Sequence, residues 1–305
     1  MSRCFVIKYL FCFIFFSNVF SISSVENIYD IKKIVELVDF LATHGSRQML
    51  EKVLIVFEVD DTLIFDEDYF VRFRFEDKLT TLLNQSRASF GVTNSQEFLL
   101  SRIIKMAKTE LVDTKLIDLL KVIKRDSIKG LAITNSTFKR YGVINNFADF
   151  KINQVETKDI DFSIFWYKQK ILNEAFDGNE GRPFFKRGFL FRNGVSIEMS
   201  LRRFFSVLKW HPELIVFVSN SREDVDSVKN WVERYYRGLN AEFVFFGFTY
   251  FADQVQSRVC DMRLISYQVA KFLQTGTWMG ESLAKRYMSF TRSCTQALRC
   301  IDVTK

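Results

Sequence analysis

Two prolines, twelve glycines and two histidines are few for a chain of 305 residues. With only His44 and His211, and no Cys-x-x-Cys pair, the ligand sets of a structural zinc site are missing. Walker-type and G-x-G-x-x-G phosphate loops are absent as well. The chain has no internal repeat and no low-complexity tract. Its 43 basic and 36 acidic residues are intermingled, with no basic stripe carrying interleaved aromatics, so a nucleic-acid partner is not expected. Beyond the N-terminus, no segment has the roughly 20 apolar residues that a membrane span requires.

What is present is the composition of a globular protein, 48% hydrophobic and 26% charged, long enough for one large domain or two small ones. The 34 phenylalanines read mostly as core. The first residues, "MSRCFVIKYLFCFIFFSNVFSISS", carry Arg3 and Lys8, an apolar run from Leu10 to Phe16, and then small residues. This is the three-part layout of an export signal over residues 1–23, with cleavage after Ser21 or Ser23. The rival reading, an uncleaved anchor, is interrupted by Lys8 and too short. The mature protein, 24–305, is therefore expected to be periplasmic or secreted, with its net charge lowered from +7 to +5 by loss of Arg3 and Lys8. Cys260, Cys294 and Cys300 then remain, enough for at most one internal disulfide.

Along the mature chain, "IYDIKKIVELVDFLATHG" reads as a helix from Ile31 that stops near Gly45, with His44 in its last turn. Apolar strands follow at 53–58, 130–134, 188–192, 213–218 and 242–247. Residues 66–127 read as a helical cap insertion, and 139–182 as a long polar loop with short elements. The segment from "FADQVQSRV" to "GESLAKRY" reads as helices packed on the sheet. Strands alternating with helices give an α/β fold, a mostly parallel sheet with helices on both faces and the first strand between the second and fourth. Such sheets place chemistry outside the strands' carboxyl ends. Glu58 and Asp60, Thr134 and Asn135, and Ser219 and Asn220 stand there.

The stretch "FEVDDTL" resembles the first motif of the haloacid dehalogenase (HAD) superfamily, an apolar strand followed by Asp-x-Asp-x-Thr. More narrowly, "FEVDDTL", "LAITNS", "GFLFRNG", "ELIVFVSNSREDVDSV", "FFGFTY" and "YQVAKFLQTGTWMGESLAK" in that order resemble the HAD-like family DUF2608 across nearly the whole mature chain. The resemblance implies a Rossmann-like sheet and an exported bacterial protein. It also implies a nucleophile at position 58, a general acid and base at Asp60, phosphate contacts from Thr62, Thr134 and Asn135, and a magnesium ion. This chain departs from that pattern in three places. Glu58 stands where the family has its first aspartate, Ser219 and Asn220 replace a metal-holding Asp-Asp pair, and Ile197 or Glu198 stands where a lysine is expected.

Each departure has a physical consequence. One extra methylene displaces the attacking oxygen, and about 1 Å of displacement can cost on the order of a hundredfold in rate. Neutral Ser219 and Asn220 remove charged oxygens from a hard cation. A missing lysine leaves transition-state charge uncompensated. Three readings of Glu58 and Asp60 remain: a remnant that caps the turn through Thr62, cation binding without turnover, and catalysis in which Lys186, Arg187 or Arg192 replaces the lost lysine. Ser219 as a nucleophile lacks a neighbouring histidine and a G-x-S-x-G turn. His211, at the far end of its strand, reads as structural. The expectation is an exported, catalytically impaired pseudo-phosphatase that acts by binding, with an envelope or host protein as its partner. The alternative is a weak magnesium-dependent phosphohydrolase using Glu58 and Asp60.

Overall fold

The computed structural model describes residues 28–44, 52–72, 77–137, 139–166, 182–241, 243–252 and 261–289. The leader and all three remaining cysteines lie outside them. In β2 (Val53–Glu58) the residues from Val53 to Phe57 are all buried, as a strand covered on both faces demands. Only Glu58 reaches a partly open position. β5 (Lys129–Thr134), β7 (Phe189–Phe191), β8 (Leu214–Ser219) and β9 (Val244–Tyr250) match the other four expected strands to within a few residues. With β1 (Ile28–Ile31) and β6 (Phe184–Lys186) they form one seven-stranded sheet in the order β1-β9-β8-β2-β5-β7-β6. Every pairing is parallel except that of β6 with β7. The α/β architecture and the central place of β2 between β5 and β8 are as the sequence indicated.

From β2 the chain moves one way along the sheet to β5 and β7, then returns to the other side of β2 for β8 and β9. Right-handed crossovers then put the helices of the two directions on opposite faces. Accordingly α1 (Ile34–His44) packs on α5 (Lys115–Arg125), while α7 (Ile197–Leu208) packs on α8 (Arg222–Leu239). The large, fully buried side chains include Phe57, Phe162, Phe189, Phe191, Phe204 and Phe217, which is where much of the phenylalanine is used. Among the described residues, no helix is long and apolar enough to cross a membrane.

A second core lies apart from the sheet. β3 (Ile64–Asp66) pairs antiparallel with β4 (Thr109–Leu111), and this short ladder is the foot of an excursion through α2 (Tyr69–Arg72), α3 (Asp77–Ser89) and α4 (Gln96–Met106). Phe70, Leu83, Leu100 and Ile104 from the excursion meet Ile265, Val269 and Phe272 of α9 (Met262–Thr275), together with Trp278.

Four expectations change. The segment 66–127 contains the strand β4, and its last helix, α5, buries Leu116, Leu119 and Ile123 in the core of the sheet. The C-terminal helix does not pack on the sheet, because its apolar stripe completes the second core against α3. The stripe fixes which face of α9 is buried but not against what. The segment 139–182 holds a ten-residue helix, α6 (Phe147–Glu156), started by Asn146, whose side chain accepts from the Asp149 amide. Finally, the first strand is β1 rather than β2, because residues 28–31 extend alongside β9, and α1 begins at Ile34.

Candidate functional site

β2 sits where the strand order reverses, the point at which open parallel sheets form a crevice beyond their carboxyl ends. The chain leaves β2 through a tight turn. The Val59 carbonyl accepts from the Leu63 and Ile64 amides, and Asp61 adopts a left-handed φ of 60° with its amide donating to the Ile64 carbonyl. The turn sets Glu58 and Asp60 two residues apart at the edge of the sheet while Thr62 is buried. Thr62 Oγ1 accepts from the Asn220 amide at 3.0 Å, which ties the turn to the end of β8.

Glu58 meets Ser219 of β8, whose hydroxyl donates to Oε2 at 2.5 Å. The same Ser219 oxygen accepts from the Ser221 amide at 3.0 Å. Burial pushes the Glu58 carboxyl up to about 7. The Ser219 hydroxyl opposes that shift, the charges of Asp224 and Asp60 add to it, and Arg192 opposes it. Asp60, half exposed, has a donor on each oxygen: Thr134 Oγ1 at 3.1 Å on Oδ2, and Lys151 Nζ at 2.7 Å on Oδ1. Thr134 Oγ1 also lies 3.1 Å from Ser136 Oγ, and Asn135 is exposed between them in the chain. Asp61 faces away and pairs with Arg72 of α2 at 2.9 Å, which links the turn to the second core.

Lys151 was not among the residues read from the sequence. It projects from α6 with its side chain 5% exposed, while its partner Asp60 is 53% exposed. Of the three basic residues that were considered, two are paired elsewhere and one acts on the site. Lys186 pairs with Asp149 and Arg187 with Glu156, each at 2.6 Å. Arg192 donates to the Val195 carbonyl, and its charge acts on Glu58. Ile197 is 2% exposed in the core, and Glu198 accepts from Ser227, so neither does a lysine's work. His211 contacts the Tyr235 hydroxyl at the start of β8, and His44 is the last residue of α1. A signal for Lys151 did exist, since Ala148, Lys151, Ile152 and Val155 share one buried helical face.

The magnesium ion that the resemblance implies fits these residues poorly. Magnesium prefers carboxylates, phosphate oxygens and water in near-ideal octahedral geometry. Here one carboxyl is driven toward its neutral form, the other already carries an ammonium, and the β8 positions offer a hydroxyl and an amide. Among the described residues, no group of three or more His, Cys, Asp or Glu side chains could hold a metal.

A family described as "Protein of unknown function (DUF2608)" matches residues 25–284. No curated protein and no solved structure matches the chain.

Proposed function

The chain belongs to the DUF2608 family, and we propose that it is a HAD-like pseudo-phosphatase, exported from the cell, that acts by binding rather than by turnover. One observation carries the reading: burial works against ionisation of the carboxyl at the nucleophile's position, while Asp60, at the position of the acid, is tied to an ammonium and a hydroxyl. Attack on phosphorus requires an ionised nucleophile, and the leaving oxygen requires a protonated acid. Burial favours the neutral form of Glu58 up to about pH 7, and the Ser219 hydroxyl lies on its Oε2. Asp60 receives an ammonium and a hydroxyl on its two oxygens, an arrangement of the carboxylate form. The HAD likeness is supported by the position of the acidic turn, at the carboxyl end of the central strand and beside Thr134 and Ser219.

Mature protein assayed with a small aryl phosphate, with and without magnesium, is expected to turn over no faster than buffer. Glu58→Asp alone should leave it there, because the acid and the compensating charge remain wrong. Activity should return only when Asp is also placed at 219 and 220 and a lysine near Ile197, since residues that act as a unit restore function together. Magnesium-dependent turnover by the wild type that Glu58→Ala abolishes would sink the reading. Export rests on the leader's layout. The native protein recovered outside the cytoplasm is expected to start at residue 22 or 24, and N-terminal sequencing that finds Met1 or Ser2 on a membrane-bound form would refute cleavage.

A further inference from the structure

Lysine is rarely buried, and a buried ammonium requires a partner to offset its lost hydration. In α6, Lys151 stands on the same face as Ala148, Ile152 and Val155, all of them core residues. Its ammonium meets Asp60 Oδ1 at 2.7 Å, at the mouth of the crevice beyond β2 and β5. The lysine is thus held from behind by apolar packing, with its charged end delivered to the one carboxylate of the turn that faces solvent. Thr134 occupies the other oxygen. Arg192, from the end of β7, adds a second positive charge that acts on Glu58.

We propose that Lys151 is a built-in cation which takes the place of a divalent metal at Asp60 and excludes one. This rests on the reading of the site as a degenerate HAD-like centre and adds to it the agent of metal loss. A divalent ion bound to Asp60 would lie beside the ammonium, and like charges a few ångströms apart repel each other. Lys151 cannot swing aside cheaply, because its stem is packed in the core and its ammonium would lose its hydrogen bond. The site therefore stays charge-compensated without metal. Its carboxylate serves as the anchor of the lysine.

The test is a titration of the mature protein with manganese or magnesium, read by calorimetry and, for manganese, by loss of the free-ion paramagnetic signal. Wild type is expected to show no saturable site. Lys151→Met, which keeps the apolar stem and removes the charge, should bind the cation roughly 10- to 1,000-fold more tightly than wild type, the scale on which a neighbouring ammonium alters a carboxylate's affinity for a positive charge. Adding Asp60→Asn to that variant should abolish the gain, and Lys151→Arg should keep the wild-type exclusion. If Lys151→Met does not fold by circular dichroism, Lys151→Gln takes its place. Saturable binding by the wild type that Asp60→Asn removes would overturn the proposal, as would a folded charge-removed variant with no gain. Metal-free phosphatase turnover would sink the pseudo-phosphatase reading and leave this one standing. Metal binding by the wild type without turnover would do the reverse.

Discussion

Asp68→Ala is expected to lower the stability of the protein by about 4 kcal/mol and to free α9 from the second core. Asp68 is 1% exposed, and three neutral donors from the C-terminal segment satisfy it. Trp278 Nε1 donates at 3.0 Å, Gln268 Nε2 at 3.2 Å and the Glu281 amide at 2.5 Å. Hydrogen bonds to a charged group are worth about 1.5 to 3 kcal/mol each, and a buried donor left unpaired costs about 1 to 3 kcal/mol. The sum is moderated because water can enter the space that the carboxylate vacates. Asp68→Asn should fall between the two proteins, since its amide keeps the shape and one acceptor oxygen. Urea unfolding gives the stability change, and hydrogen exchange locates it. Protection of residues 262–281 should drop in Asp68→Ala while that of β2 and β8 changes less. Equal protection of the C-terminal segment in variant and wild type would show that the carboxylate does not hold it.

Stability is also expected to fall as pH rises from about 4.5 to above 7, by up to about 3.5 kcal/mol at about 1.4 kcal/mol per unit, and Glu58→Gln should remove that part of the slope. In the folded protein burial holds the Glu58 proton up to about 7, whereas the unfolded chain releases it near 4.5, the ordinary value for a glutamate. Between those values the folded state binds more protons, so stability declines with increasing pH. The contribution is fully present below the unfolded value and is lost once pH passes the folded one. Each unit of difference corresponds to about 1.4 kcal/mol, which sets the upper figure. Asp61 and Asp68 are also raised by burial and contribute slopes of the same sign, so the difference between wild type and Glu58→Gln isolates the residue. Parallel curves for the two proteins would mean that Glu58 is ionised in the folded state.

The sheet was legible because an interior parallel strand is an uninterrupted apolar run, and "VLIVFE", "KGLAIT" and "LIVFVS" are three of them. Their polar last residues marked the site for the same reason: Glu58, Thr134 and Ser219 stand where the runs stop, and the structure brings the first and third into contact. Edge strands and the β3–β4 foot are only three or four residues long, too short for a period to register. Helix α6 escaped notice because the residue that would have completed its apolar stripe is Lys151, and that residue proves to face the site. A pattern of burial reads a charged side chain as surface, so a lysine placed inside for its charge weakens the apolar stripe to Ala148, Ile152 and Val155, from which it can be read only once the helix is recognised. The destination of α9 was hidden for a different reason, since its partners lie far back in the sequence and Asp68 gives no local sign of them.

That distance bears on the order of assembly. Gln268 and Trp278 are 200 and 210 residues from the carboxylate they contact. At 5 to 20 residues per second, a ribosome takes about 10 to 40 s to make that interval. For most of it the apolar faces of α3 and α4 exist without the helix that covers them. Closing so long a loop carries a large entropic cost before any contact forms, and high contact order slows folding. The β2–β5 pairing becomes available much earlier. The helical excursion is therefore the last part of the nascent chain to be sealed, and it is the surface a chaperone would meet.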